Sequence, residues 1–352
     1  MCFSNSALIQ LQCYRGLSYV HILSCLASQG LTGTSAPMLH WTMSADIPSS
    51  MKNAQGVYHS NHLYVGGGYT GSSKADAIVF VYAPGVDMWK LLPTSPLKWF
   101  GIAVLQGRLL LIGGKETIST KSEYTNKLVV WNSEDHSWVG TFPPMQIARA
   151  SPVSFGHKHW LVVSGGKRGS LDYSIEVLNA DTKQWYLLPP LPVKCFAHTS
   201  AVCVSTWYLL RESDGTVFKT NVSKLLEYSL DHTHQQHNGT AESSHNEDLE
   251  STNSNWTQLS KPPVKPIRIS ILHGCAVVLS HSASGDGHIA VHAYFPETQS
   301  WSHVGDLPGI CANASCIATT ANGPLFVVGG DSADMHYSNK IFKATLRASV
   351  QS

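Results

Sequence analysis

Apolar and polar positions along this chain fall into short runs of β-forming residues separated by turn formers. The clearest run, Leu109-Leu110-Leu111-Ile112, closes on Gly113-Gly114 and is followed by two aromatic residues seven positions apart, Trp131 and Trp138. The same three markers recur along the chain. Glycine pairs stand at Gly67-Gly68, Gly113-Gly114, Gly165-Gly166 and Gly329-Gly330, with degenerate counterparts at Arg211-Glu212 and Ser280-His281. Trp41, Trp89, Trp138, Trp185, Trp256 and Trp301 are separated by 48, 49, 47, 71 and 45 residues, so four of the five intervals agree.

The seven-residue spacing repeats as Tyr82/Trp89, Trp131/Trp138 and Tyr294/Trp301, and with leucine substituting as Leu178/Trp185. Turn formers fill the gaps, as in Asn132-Ser133-Glu134-Asp135 and Asn179-Ala180-Asp181-Thr182. A period in the high forties built of short strands predicts a β-propeller blade and not a helical solenoid. Glycines after the second strand of a blade let backbones approach where a Cβ would clash. A tryptophan on the outer strand fills the widening gap between blades. These linked markers resemble the kelch repeat, whose blades carry a strand ending in Gly-Gly and then a spaced Tyr and Trp. The resemblance covers about residues 38–346 and implies an all-β, six-bladed kelch-type propeller. Blades four and five, which lack the glycine pair, are expected to differ locally.

After Gly330 only one further strand follows, about 340–346, with no tryptophan, and Trp41 has no strand pair before it. The segment around Leu39–Met43 is therefore expected to supply the outer strand of the last blade, closing the ring and hiding two sheet edges. Residues 1–37 read as a partly ordered leader or the remnant of an upstream domain, and 347–352 as a tail. The apolar stretch 17–26 is too short and interrupted for a membrane span, and no basic start marks a signal peptide. The long interval of 71 places extra residues in blade four. Measured from Tyr228 to Trp256, the insertion covers about 231–254, polar and acidic without Lys or Arg, and reads as a disordered surface loop. Its histidines, His232, His234, His237 and His245, are read as solvated, since no rigid element holds them.

The chain has 43% hydrophobic and 13% charged residues, which fits a folded domain and not a disordered one. A net charge of +1 excludes the broad basic field of a nucleic-acid binder, while a local patch escapes such a sum. No nucleic-acid or membrane partner is expected. Eight cysteines form no CxxC pair, and those past residue 190 lie mostly in apolar runs, as buried thiols do. That favours the cytoplasm. Four sequons, at Asn221, Asn238, Asn255 and Asn313, keep secretion open as the alternative.

Strands within a blade alternate in direction, so the 2–3 and 4–1 connections emerge on one face and the 1–2 and 3–4 connections on the other. Reading the 4–1 loops in turn gives Lys52, Lys98, Arg149, Lys194 and Arg268, each shortly before an innermost strand. Lys115, Lys167, Arg168 and Arg211 follow second strands on the same face, and Trp99, Phe100, Tyr69, Tyr124, Tyr173 and Phe196 intermix with them. Convergent cations with aromatic neighbours suit an acidic or polar peptide, whose carboxylates gain charge-assisted bonds while rings cover its apolar residues. Blades of this family commonly carry a basic residue there that satisfies loop carbonyls, so a structural use is the alternative for any single member.

No phosphate-binding loop, GxSxG or HExxH is present, and no catalytic residue, metal or cofactor is assigned. His198 and His273 read as core or loop-bonding residues; with His336 they complete no Tyr/His/Cys constellation. The sequence thus points to a protein-interaction module, such as the substrate-recognition part of an adaptor. The competing reading is a small-molecule or carbohydrate-active enzyme of oxidase or mutarotase type at the channel mouth. A cytoskeletal scaffold is a third, without a signal of its own. In relatives the resemblance associates the propeller with a dimerising domain that recruits a cullin-type ubiquitin ligase. Such a link would need a domain absent from this sequence.

Overall fold

The computed structural model describes residues 38–347 apart from 71–74, 120–122, 168–172, 193–197, 212, 228–254, 282–287, 310–312, 321–322 and 332–336. Six four-stranded antiparallel sheets stand around a common axis, as the six-fold repeat predicts. Their innermost strands are Gln55–His59, Gly101–Leu105, Val153–His157, His198–Cys203, Pro266–Leu272 and Ser315–Ala318, each packed beside the next, with the last returning to the first. The second strands are covered on both faces by neighbouring blades, which explains why they read as unbroken apolar runs. Leu109, Leu110, Leu111 and Ile112 are all buried.

Hydrophobic burial is concentrated between blades. Each core cluster joins two neighbours: Leu63, Val65 and Phe80 of blade one, for example, pack with Phe326, Val328 and Ile341 of blade six. The seven-residue spacing turns out to be a cross-strand register. Tyr82 pairs with Trp89, Trp131 with Trp138, Leu178 with Trp185 and Tyr294 with Trp301 across the third and fourth strands. These tryptophans also fasten the chain entering their blade. Trp89 Nε1 donates to the Ala45 carbonyl at 2.9 Å, Trp138 to Pro93 at 2.9 Å, Trp185 to Pro143 at 3.0 Å and Trp301 to Ser260 at 2.8 Å. An outer-strand tryptophan is therefore both wedge and clasp.

Ring closure is as expected. Met38–Met43 pairs antiparallel with Ile341–Arg347 and completes blade six, with Trp41 opposite Ala344. The connector that follows is held by Asp87 in the 3–4 turn of blade one, whose Oδ1 accepts from Ala45 N at 2.8 Å and from the Tyr82 hydroxyl at 2.5 Å. The Ala45 amide and then the Tyr82 hydroxyl hold the Asp87 carboxyl below its usual value, whereas burial first, then Asp87, pushes Tyr82 up to about 12. A depressed carboxyl contributes stability that is fully present above the unfolded value near about 4 and is lost as pH falls through the lower folded value. Acid unfolding of an Asp87→Asn variant should accordingly be less steep in that window than that of the parent. Identical pH profiles by circular dichroism would remove Asp87 from the closure.

The glycine pairs have a specific cause. The first glycine of a pair abuts a carbonyl of the next blade's incoming loop: an added Cβ would stand 2.5 Å from Phe100 O at Gly67, 2.4 Å from Arg149 O at Gly113 and 2.4 Å from Met51 O at Gly329. The second abuts its own blade's incoming loop, at 2.6 Å from Lys52 O for Gly68, 2.3 Å from Lys98 O for Gly114 and 2.7 Å from Ala150 O for Gly166. Each pair thus sits where two loops and a strand end converge, and the Gly114 backbone, at φ +93°, is in a region that side chains avoid.

Blade four corrects the register expected from Tyr228. Its third strand, Thr216–Asn221, ends before Tyr228 and leads into a short helix over 222–227, while the fourth strand is Thr257–Gln258. The connection between them runs from 222 to 256, where blades one to three use 84–87, 133–136 and 180–183. The fourth strand pairs with Phe218 and Lys219, well before Tyr228, and the intervening helix buries Val222, Leu225 and Leu226 against Trp207. Residues 231–254, like the leader 1–37, lie outside the described residues.

Candidate binding face at the channel mouth

In blades one to three, short antiparallel contacts tie the 4–1 loop to the start of the 2–3 loop of the same blade. Lys52 bridges Tyr69, Leu97–Lys98 pairs with Lys115–Glu116, and Ala150 bridges Lys167. These contacts put both loop sets on one face, around the mouth of a central channel that encloses a cavity of about 810 Å³. The innermost strands of all six blades line it.

The cationic set expected from sequence is not one surface. Arg149 is the clearest correction: its side chain and that of Glu176 are both 0% exposed and form an ion pair at 2.6 Å. Its guanidinium also donates to Gly165 O at 2.9 Å and Ser174 Oγ at 2.9 Å. Glu176 in turn accepts from Gln146 N at 2.7 Å and Ile147 N at 3.2 Å. Arg149 therefore braces the loop that enters blade three and offers nothing to a partner. Loop position set its place in the chain but not the direction of its side chain. Glu176, a carboxylate inside the apolar strand Ile175–Asn179, was the sequence signal of a buried counter-ion.

Arg268 lines the mouth but is committed to the scaffold. It donates from Nε to Ala314 O at 3.1 Å, and its Nη2 reaches Asn53 Oδ1 at 2.8 Å and Asn313 Oδ1 at 3.3 Å, tying blade five to blades six and one. Asn313 passes the network on through Nδ2 to Asp331 Oδ2 at 2.7 Å, and Lys52 Nζ stands 3.4 Å from Asp331 Oδ1 and 4.7 Å from the centre of the Tyr337 ring. The Asn313 amide is thus engaged on both sides, which a glycan on that sequon would disrupt. Arg211 forms a local ion pair with Asp214 and donates to Thr216 Oγ1 at 3.1 Å. Lys194 and Arg168 lie outside the described residues, as do Phe196 and His336.

Lys98, Lys115 and Lys167 differ from these. Among the described residues none of the three makes an ion pair; Lys98 and Lys115 are partly exposed and Lys167 is exposed beside the channel. Lys98 and Lys115 face each other across their ribbon, and Lys98 Nζ lies 5.1 Å from the centre of the Trp99 ring. Trp99 stands 5.7 Å from the Tyr69 ring with planes inclined by 34°. Its Nε1 donates to Asp76 Oδ2 at 3.1 Å, while Asp76 Oδ1 accepts from Thr70 N at 3.0 Å and Thr70 Oγ1 at 3.1 Å. The carboxylate is buried and both its oxygens are used inside the protein, so it orients the indole and does not face a ligand.

The channel walls carry no carboxylate or histidine among the described residues, and no group of three or more potential metal ligands occurs among them. No helix among them is long and apolar enough to cross a membrane.

No family model matches the chain. It is 30% identical over 179 residues to beta-scruin of Limulus polyphemus, a match covering 46% of this chain and 19% of that protein. It is 21% identical over 282 residues to Kelch-like protein 15 of Homo sapiens, covering 78% of this chain and 45% of the relative. A Kelch domain-containing protein of Sulfurisphaera tokodaii is 26% identical over 173 residues, covering 48% of this chain and 23% of that protein. The chain therefore spans less than half the length of these relatives. Among solved structures, that of YjhT superposes with a TM-score of 0.61 at 14% identity, covering 86% of this chain and 99% of the other, a likeness of fold. The six-fold marker repeat, the closed ring of six blades and relatives bearing the kelch name together support a β-propeller of kelch-repeat type.

Proposed function

We propose that this propeller is a protein-recognition module that binds an acidic or polar segment of a partner on the face built by the 2–3 and 4–1 loops, acting as the recognition part of an adaptor. The observation that carries this reading is the group Lys98, Lys115 and Lys167, which makes no ion pair among the described residues; Lys98 lies over the Trp99 ring, itself beside Tyr69, Lys115 is its cross-strand partner, and Lys167 borders the channel. Uncommitted ammonium groups favour carboxylates, and partly exposed aromatic rings supply the apolar contact that charges alone lack. The other cations support the face from within: Arg149 and Arg268 hold loops, and Lys52 and Arg211 are paired with Asp331 and Asp214.

A small-molecule ligand in the channel is the second reading, favoured by the cavity of about 810 Å³. Its described walls offer hydroxyl, amide and apolar side chains with Lys167 and Arg268 at the mouth, and no carboxylate or histidine among them, a surface for binding more than for proton transfer.

The test is a change of charge preference. Wild-type protein screened on an array of random peptides is expected to retain sequences rich in Asp and Glu, with binding weakened by added salt. A Lys98→Glu/Lys167→Glu variant should bind those peptides about tenfold or more weakly, a loss of about 1.4 kcal/mol. Unchanged peptide selection by the variant would reject this face.

A further inference from the structure

We propose that Trp99 is the anchor of this face and receives an apolar side chain of a partner peptide, with a carboxylate next to that side chain meeting Lys98 and Lys115. The proposal rests on the peptide-binding reading above and narrows it to one contact.

The argument begins with backbone conformation. In blades one, two, three and six, one residue where the chain passes from the 4–1 loop into the innermost strand adopts a left-handed conformation: Asn53 at φ 52°, Trp99 at 55°, Ser151 at 48° and Asn313 at 59°. Asn is the side chain that tolerates this region best, since its short amide bonds locally, and a small Ser is a mild case. The scaffold uses the other three accordingly. Asn53 and Asn313 accept from Arg268, and Ser151 donates from both N and Oγ to the Trp99 carbonyl, at 2.6 and 3.3 Å. A bulky aromatic residue at the same position is strained and is not what the ring requires of it. Strain of this kind is held in place by surrounding contacts and concentrates at sites of recognition.

The contacts around Trp99 hold the ring in one orientation. The indole N–H is fixed by Asp76, whose other oxygen is fixed by Thr70, and the backbone carbonyl is fixed by Ser151 of blade three. Tyr69, which is 41% exposed, stands beside it. An aromatic ring immobilised before binding loses little conformational freedom when a ligand arrives, which is how a few aromatic residues dominate an interface. Lys98 above the ring and Lys115 across the ribbon then fix the sign of charge expected next to the buried group. The Asp76 oxygens are already used, so this cluster lacks the open carboxylate with which a sugar's hydroxyls would bond.

The experiment uses an immobilised library of nine-residue peptides rich in Asp and Glu with one varied central residue. Wild-type protein should enrich Leu, Phe, Trp or Pro at the centre. Trp99→Asn places at this position the residue that positions 53 and 313 already carry, and relief of the backbone strain offsets the indole donor lost to Asp76, so its melting temperature should stay within about 3 °C of wild type, while affinity for the best peptide falls about tenfold or more and the central preference disappears. Tyr69→Ala, at an exposed site, should weaken the same preference. The anchor is overturned if Trp99→Asn keeps the central preference, or if it melts far lower while Tyr69→Ala selects as wild type does. Acidic selection without a central preference in wild type rejects the anchor alone, and absence of any acidic selection rejects the peptide reading itself.

Discussion

Replacing Arg149 by methionine is expected to lower the unfolding free energy by about 3–5 kcal/mol, because it leaves the Glu176 carboxylate buried without its counter-ion. The site has no solvent to compensate: both side chains are fully buried, and the same guanidinium satisfies Gly165 O and Ser174 Oγ. Glu176→Gln alone should be comparably costly, since it leaves the buried Arg149 guanidinium without its counter-ion even though Gly165 O and Ser174 Oγ still accept from it. Combining the two changes should recover part of the loss by removing the isolated charge, so the double variant should be less damaged than the sum of the singles. Urea unfolding checks this through the transition midpoint. Additive losses would mean that the two side chains are not energetically coupled, against their 2.6 Å contact.

Removing residues 1–43 is the other change with a large expected effect, on the order of 5 kcal/mol or more from lost burial of Leu39 and Trp41 and lost strand bonds. Met38–Met43 covers the outer edge of Ile341–Arg347, and Leu39 and Trp41 pack on the cluster shared by blades five and six. Without it that edge is open to pair with another chain. The expected result is a lower melting temperature together with concentration-dependent association, read by calorimetry and light scattering. A truncated protein that melts like the parent and stays monomeric would show that ring closure contributes little.

The architecture was legible because its markers have few other uses. A glycine pair at a fixed period and a tryptophan seven residues after an aromatic are consequences of converging loops and of cross-strand pairing, as Gly114 and the Tyr82–Trp89 pair show. The binding face was legible only as a set of loops. Spacing places Lys98 and Arg149 equivalently, yet one side chain lies on an indole at the surface and the other is buried on a carboxylate. That difference is decided by Glu176, a residue on another strand, and periodicity does not carry such information. Blade four was misread for a related reason: its third strand ends at Asn221 and its fourth pairs with Phe218 and Lys219, so Tyr228 was not the marker from which to count. Trp99 was recognised as an aromatic near the mouth, but its unusual backbone, and so its departure from the pattern of Asn53 and Asn313, is visible only in three dimensions.

Closing the ring with its own beginning also imposes an order on biosynthesis. The bond from Thr345 Oγ1 to the His40 carbonyl spans 305 residues, and Lys340 reaches Asp46 across 294. Within the propeller, the first strand made waits for the last, and until then both that strand and each newly finished blade present open edges. Low contact order is unavailable to such a chain, so its vulnerable period coincides with its own synthesis, when unpaired strand edges invite misassembly. The Trp-to-connector clasps, each spanning about one blade, supply the local contacts through which successive blades can dock while the final pairing is still pending.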